Sequence, residues 1–238
     1  MGTIQRIMGT LRRLCRPFVM MIRVPTRWFQ SAIVWPELGI EFGDYSRYFR
    51  GNVLNAGAGG RDISPFINGH LYNQDIKGAL NTQNIDFYAT LHNIPIMNEF
   101  FDTIICNAVL EHVEDPSAVM QEFFRVLKPG GYLYVVVPFL QPEHLDPTDF
   151  QRYTKDGLWT LATRHGFEVL TIEGIHSVYH TLACIIQEWL TSKRTVVSLV
   201  LRIVLFPLLR YQCRHSRTYV HSIASAYRVL AQKPMKQL

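Results

Sequence analysis

The stretch V-L-N-A-G-A-G-G, residues 53–60, decides the fold. Val53, Leu54 and Ala56 make a short apolar run, and Gly57, Gly59 and Gly60 follow at once. A run of that length bounded by glycines is a buried strand turning into a loop. Glycine suits such a loop because it tolerates positive φ and has no Cβ to hold a ligand off the backbone. Alone, the turn also fits a tight strand-to-helix connection with no ligand, so the residues around it have to decide.

Outward from this turn the pattern is βαβ. Strands are expected at 53–56, 71–74 (ending at Asp75), 85–89, 102–107, 132–137, 167–172 and 226–231. The fourth, D-T-I-I-C-N, is nearly all apolar, as a strand covered on both faces must be. Ser64-Pro65 suits the cap of a short helix, with proline at the first helical position. Asp115-Pro116 starts another, whose buried stripe is Val119, Phe123, Val126 and Leu127; Pro129-Gly130-Gly131 breaks it. Thr154 caps a helix through Arg164, stopped by Gly166. Such alternation predicts a parallel sheet with helices on both faces.

The chain of 238 residues is 48% hydrophobic and 18% charged, which excludes a disordered polypeptide and allows a substantial core. Its net charge of +5 hides a split. Residues 1–36 carry six arginines and no acid; residues 189–238 carry nine Lys/Arg and no acid. All 19 Asp/Glu lie between. Basic flanks suggest contact with an anionic surface, membrane or nucleic acid. In the first, Ile4, Ile7, Met8, Leu11, Leu14, Cys15 and Phe18 share one helical face, with arginines opposite. That pattern suits an interfacial membrane helix, a helix packed on its own domain, or an organellar transit peptide. No signal peptide is expected, because the apolar run 18–22 is short and Arg23 closes it. In the second flank, residues 177–218 form an apolar and basic helical insertion. Its centre, 196–209, is expected to be too short to span a bilayer, with Arg202 interrupting it. Arg194, Ser198 and Arg202 form a thin polar stripe, so the helix can lie in a membrane interface or pack on protein. The four cysteines are widely spaced and suggest neither zinc nor a disulfide framework. Segments are expected at 1–50 (basic helical), 51–176 (core), 177–218 (insertion) and 219–238 (last strand and tail).

A dinucleotide loop needs G-x-G-x-x-G, but Asp62 holds the third glycine position, where a carboxylate opposes a pyrophosphate. A nucleoside without phosphates fits better. Asp75, at the end of the second strand, can accept both ribose hydroxyls, and Ile76 can pack on a base.

V-L-N-A-G-A-G-G at 53–60, N-Q-D-I at 73–76, H-N-I-P at 92–95, F-D-T-I-I-C-N-A-V-L-E-H-V at 101–113 and F-F-R-V-L-K-P-G-G-Y-L at 123–133 occur in this order. In this the chain resembles the class I S-adenosylmethionine-dependent methyltransferases, in particular the methyltransferase type 11 group, over roughly residues 51–139. The fold expected is α/β: a Rossmann-like doubly wound sheet, mostly parallel with an antiparallel last strand, plus the N-terminal helical segment and the helical insertion. The resemblance implies S-adenosylmethionine as cofactor. Asn55, Ala56, Gly57, Ala58 and Gly59 would line its methionine and ribose portions. Asp75 would take the ribose, and Ile76 the adenine. Thr90, Leu91 and His92 would flank the adenine edge. Asn107, Ala108 and Leu110 would sit under the sulfonium end. Asn55 and Thr90 stand where the family often has acids, and Arg61 replaces the loop's third glycine. A chain that kept the fold and lost turnover is therefore an alternative. Residues 138–154 look like a subgroup associated with cell-surface polysaccharide or glycolipid pathways.

Ligands of open α/β sheets bind beyond the carboxyl ends of the strands. This puts the acceptor near Glu111 and His112, and near Gln141, His144, Asp149 and Arg152. His144 is the candidate general base, since its ordinary pKa lies near neutrality; Asp146, Asp149 and Arg152 can orient it. The expected reaction is O-methylation of a small-molecule, sugar or lipid-linked acceptor, in the cytoplasm and peripheral to the inner membrane surface through the N-terminal helix and residues 194–210. RNA methylation is disfavoured, because the flanks are amphipathic and carry no aromatic–basic RNA motif. No metal is expected, as no His/carboxylate cluster has ligand spacing along the chain.

Overall fold

The computed structural model describes residues 31–79, 84–145, 148–192 and 195–236. The expected N-terminal amphipathic helix, Arg194 and Asp146 lie outside the described residues. Seven strands form one sheet: β1 (Arg50–Ala56), β2 (Asn68–Asp75), β3 (Phe87–Tyr88), β4 (Phe101–Asn107), β5 (Leu127–Pro138), β6 (Glu168–Ile175) and β7 (Ala226–Gln232). Their order is β3-β2-β1-β4-β5-β7-β6. The pairings from β3 to β5 are parallel, and β7 runs antiparallel to both β5 and β6. Strand order reverses between β1 and β4, which opens a crevice at their carboxyl ends.

Each central strand alternates between two cores, because successive side chains point to opposite faces. Leu54, Ile104, Leu133 and Val135 face helices α2 (Pro116–Val126) and α3 (Lys155–Arg164). Val53, Ile105, Tyr134 and Val136 face the chain leading into β1, where Phe42 ends the short helix α1 (Leu38–Phe42). Phe42 and Phe49 are fully buried and meet Tyr134 edge-on, at 5.9 and 5.1 Å between ring centroids. Asp115 caps α2 by accepting from the Ala118 amide at 3.0 Å, and Thr154 caps α3 by accepting from Gly157 at 3.1 Å.

Several elements differ from the sequence expectation. The helix after the glycine loop is a single 3-10 turn, Ser64–Phe66, because β2 begins at Asn68 and Asp62 folds back to accept the Ser64 amide. β3 shrinks to two residues at the sheet edge, where it finds partners only in Gln74 and Asp75. Pro129-Gly130-Gly131 lies inside β5 rather than between elements. The pairing register with β4 shifts there, and Leu127 belongs to the strand rather than to the helical stripe.

The insertion folds as a hairpin of α4 (Val178–Ser192) and α5 (Val196–His215), packed through Ala183, Leu190, Phe206 and Leu209 onto Ala32. Helix α5 continues past the apolar centre. It is 20 residues long and contains an 18-residue window of mean hydropathy 1.6, so it is long and apolar enough by length and composition to cross a membrane, which corrects the expectation of a short segment. Arg202 does not present charge outward. Its guanidinium donates to the Leu190 carbonyl at 2.6 and 3.2 Å, closing the last turn of α4. Ser198 is buried in the capping box with Thr195. The polar stripe therefore faces α4, while Val197, Val200, Ile203, Val204 and Leu208 are exposed.

Candidate active site

The glycine loop leaves β1 and is fastened to the end of β2. Gln74 is fully buried; its Oε1 accepts from Gly57 at 3.1 Å and its Nε2 donates to the Ala89 carbonyl at 2.6 Å. Asp75 Oδ2 accepts from Gly59 at 2.8 Å, and Oδ1 accepts from Ile76 at 2.7 Å. The loops after β1, β2 and β3 are thus held together by two adjacent side chains. Gly57 (φ 70°) packs so closely that a Cβ would lie 2.6 Å from Val109 Cγ2. Gly59 (φ 57°) faces open space, with nothing within 4 Å of where a Cβ would be.

Around this clasp the expected cofactor residues divide. Ile76 is 44% exposed, and Thr90 and His92 are exposed with a 3.3 Å contact between Thr90 Oγ1 and His92 Nε2. Leu91 and Leu110 are buried in the core, so only their backbones can serve a ligand. Ala56 and Ala58 are buried too. Asn55 is buried and donates to Asn73 Oδ1 at 2.9 Å, stitching β1 to β2. Asn107 ends β4 and donates to Glu41 Oε1 at 2.8 Å; Arg61 donates to Glu41 Oε2, also at 2.8 Å. Ala108 then takes a left-handed conformation (φ 57°), a strained state for a residue with a Cβ.

A cavity of about 590 Å³ opens beside these groups. Asn107, Ala108, Glu111, Gln141 and His144 form its floor, at the ends of β4 and β5, and Trp35 and α4 residues such as Gln187 roof it. Gln187 accepts from the Ala32 amide at 2.7 Å, tying that roof together. A larger cavity of about 1150 Å³ shares Trp35, Glu41 and His176 but lies toward β6 and the end of α5. The smaller one reaches Arg61, just past the glycine loop, and the β4 end, and its size suits a small molecule.

Glu111 is wholly buried with neither carboxylate oxygen hydrogen-bonded, and burial pushes its carboxyl up to about 7. Its Oε1 lies 3.8 Å from both His112 Nε2 and His144 Nε2. The fold therefore gathers a cluster that spacing along the chain does not announce. Asp149 and Arg152 brace the 141–152 loop. The guanidinium donates to both Asp149 oxygens, to Pro142 O at 3.0 Å and to Gln141 O at 3.4 Å, and it holds the Asp149 carboxyl down at about 2. Gln141 donates to Ser225 at 3.0 Å. His176, between the two cavities, is pushed down to about 3 by burial and is neutral at pH 7. Sequence reasoning missed Gln74, Glu41 and the α4 roof. Gln74 stands inside a quoted motif, but nothing in its residue type marks a carboxamide that bridges two loops.

Residues 66–135, from just before β2 into β5, match the family model described as a methyltransferase domain. This stretch of the sheet is similar to a methyltransferase domain. A ubiquinone biosynthesis O-methyltransferase of Pseudomonas fluorescens is 50% identical over 38 residues, which is 16% of this chain and 16% of that protein's length. Among solved structures, the cyclase SpnF superposes with a TM-score of 0.57 at 16% identity, covering 87% of this chain and 86% of its own. Phosphoethanolamine N-methyltransferase 2 of Haemonchus contortus, solved with S-adenosylmethionine, gives 0.55 at 12% identity, over 87% and 56%. These likenesses establish the fold of the domain.

The residues present fit S-adenosylmethionine. The loop offers close backbone approach at Gly59, a carboxylate at Asp75 and an exposed apolar side chain at Ile76, with no phosphate cradle. The two glycines are predicted to fail differently when made alanine. Gly57→Ala forces Val109 aside and is expected to cost about 2–3 kcal/mol of stability. Gly59→Ala meets only the cost of its φ, about 1 kcal/mol, yet places a methyl group in the ligand's space. Urea unfolding together with S-adenosylhomocysteine titration checks this: Gly59→Ala should stay folded and lose binding. Full binding by folded Gly59→Ala would contradict the assignment of that face to the cofactor.

Proposed function

We propose that this chain transfers a methyl group from S-adenosylmethionine to a hydroxyl of a small-molecule acceptor. The observation that carries the reading is the clasp of Gly59 on Asp75, in a loop whose next residues reach, through Arg61, the cavity at the ends of β4 and β5. Asp75 keeps lone pairs beyond those given to Gly59 and Ile76, and these receive ribose hydroxyls. Ile76 supplies an apolar face for adenine, flanked by Thr90, His92 and the Leu91 backbone. Arg61 and Glu41, already paired across the loop, offer charges complementary to the carboxylate and ammonium of an amino acid. S-adenosylmethionine, when bound, supplies a methyl group activated by its sulfonium. The chain's own work is to align an acceptor oxygen over Asn107 and Ala108 and to ease the loss of its proton. Proton removal falls to the Glu111, His112 and His144 cluster, of which Glu111 and His144 line the cavity. The partial likeness to an O-methyltransferase supports oxygen as the atom methylated.

Isothermal titration of the full chain with S-adenosylmethionine and S-adenosylhomocysteine tests this. Saturable binding is expected, weakened at least about tenfold (about 1.4 kcal/mol) in Asp75→Ala. No binding by a folded protein would contradict the enzyme reading and favour a chain that kept the fold without turnover.

The finer reading is a sugar- or lipid-linked acceptor met at an anionic membrane surface in the cytoplasm. It is supported by the outward apolar face of α5, with Trp189 at the end of α4 and Tyr211 near the end of α5, both exposed. It is also supported by the absence of any acidic residue from 189 to 238 in the sequence. Because α5 packs on α4, the hairpin lies along the interface rather than across the bilayer. Flotation with phosphatidylglycerol vesicles is expected to carry the chain up, and phosphatidylcholine vesicles to carry less. Val200→Asp with Val204→Asp should abolish flotation without lowering the melting temperature. Equal sedimentation with and without anionic lipid would contradict a membrane role.

A further inference from the structure

A carboxylate and two imidazole nitrogens come together at the cavity floor, and no side chain among the described residues donates to the carboxylate. Glu111 contributes a fully buried carboxylate whose two oxygens lack partners. His112 engages the Thr148 carbonyl through Nδ1. A carbonyl only accepts, so Nδ1 carries a proton, and in the neutral ring Nε2 presents a lone pair. His144 Nδ1 lies 3.5 Å from both Pro142 O and Asp149 Oδ2, again acceptors, and its Nε2 faces Glu111 in the same tautomer. Arg152 Nη2 is 3.4 Å from His144 Nδ1, but it directs its hydrogens to Asp149 Oδ2 at 2.5 Å and Pro142 O at 3.0 Å. The two imidazoles meet edge-to-face, and one ligand atom from each of the three residues falls within 4.8 Å of the others.

Two lone pairs and a buried carboxylate aimed at a common point repel one another unless something positive sits among them. A proton on Glu111 can serve only one imidazole. A divalent cation serves all three groups. We propose that Glu111, His112 and His144 form a divalent-cation site, whose two nitrogens and one carboxylate suit zinc. Zinc bonds of about 2.0–2.2 Å separate tetrahedral ligand atoms by roughly 3.4 Å. The two 3.8 Å separations to Glu111 Oε1 therefore need to close by only a few tenths of an ångström. The Thr148 carbonyl behind His112 and the Asp149 carboxylate behind His144 are the outer partners that orient metal-binding imidazoles. Three protein ligands leave a fourth position, on the cavity side, where an acceptor oxygen can be held. That role rests on the methyl-transfer reading; cation binding does not. With zinc bound, His144 is a ligand rather than a base.

The test uses the full chain, stripped with a chelator and dialysed. Equilibrium dialysis against zinc should give one zinc per chain, and cobalt should give visible absorption without a thiolate charge-transfer band, which sets the cysteines aside. Glu111→Gln, His112→Ala and His144→Ala should each weaken zinc retention by at least roughly tenfold. His144→Ala, at a partly exposed position, covers the case in which Glu111→Gln does not fold. Zinc uptake well below one per chain, or uptake unchanged in the folded variants, would overturn the site. S-adenosylhomocysteine titration of the same stripped chain separates the two ideas. Cofactor binding without zinc uptake removes only the cation site, and zinc uptake without cofactor binding removes only the transfer reading.

Discussion

The Gln74 side chain has no water to turn to. It is fully buried at the end of β2, so its carboxamide must find both a donor and an acceptor in the protein. It finds them on opposite sides, in the Gly57 amide and the Ala89 carbonyl. Asp75 repeats the arrangement one residue on, with the Gly59 amide. Loops after three neighbouring strands are thereby fixed by side chains that cannot let go cheaply, since an unpaired buried polar group costs about 1–3 kcal/mol. The position of every ligand-facing group near the glycine loop follows from that constraint.

A second set of restraints builds the acceptor side. Residues 31–49 and helix α4 are far apart in sequence, yet they meet over the ends of β4 and β5. Gln187 holds Ala32, His180 Nε2 donates to the Val34 carbonyl, and Glu41 holds Asn107 and Arg61. The sheet itself is common to a cyclase and an N-methyltransferase with little sequence likeness. What distinguishes this chain is carried by such additions, as is usual for function grafted on a widely shared fold.

The sheet was legible in the sequence because strand periodicity and glycine placement are local properties. The run at 53–56, the D-T-I-I-C-N strand and the caps at Asp115 and Thr154 all appear where local chemistry puts them. The glycine loop and Asp75 were legible for the same reason. Partnerships across the chain were not. Glu41 meets Asn107 over 66 residues, and His144 reaches Glu111 through a loop whose shape depends on the Arg152–Asp149 pair. Neither leaves a periodic signal. The facing of Arg202 stayed open because helical spacing puts it on a stripe but does not say which way the stripe faces; the Leu190 carbonyl decides that. The extra turns of α5 were missed because polar residues after 209 look like an end in a hydropathy window, while the backbone continues regardless to His215.

Hydrogen–deuterium exchange of the full chain, with and without saturating S-adenosylhomocysteine, tests the central claim most directly. If the β1 and β2 ends form the cofactor site, protection should rise together at 56–61, 75–77, 90–92 and 107–110, and stay unchanged on the outer face of α5. Protection confined to the larger cavity near β6, or no change at saturation, would contradict it.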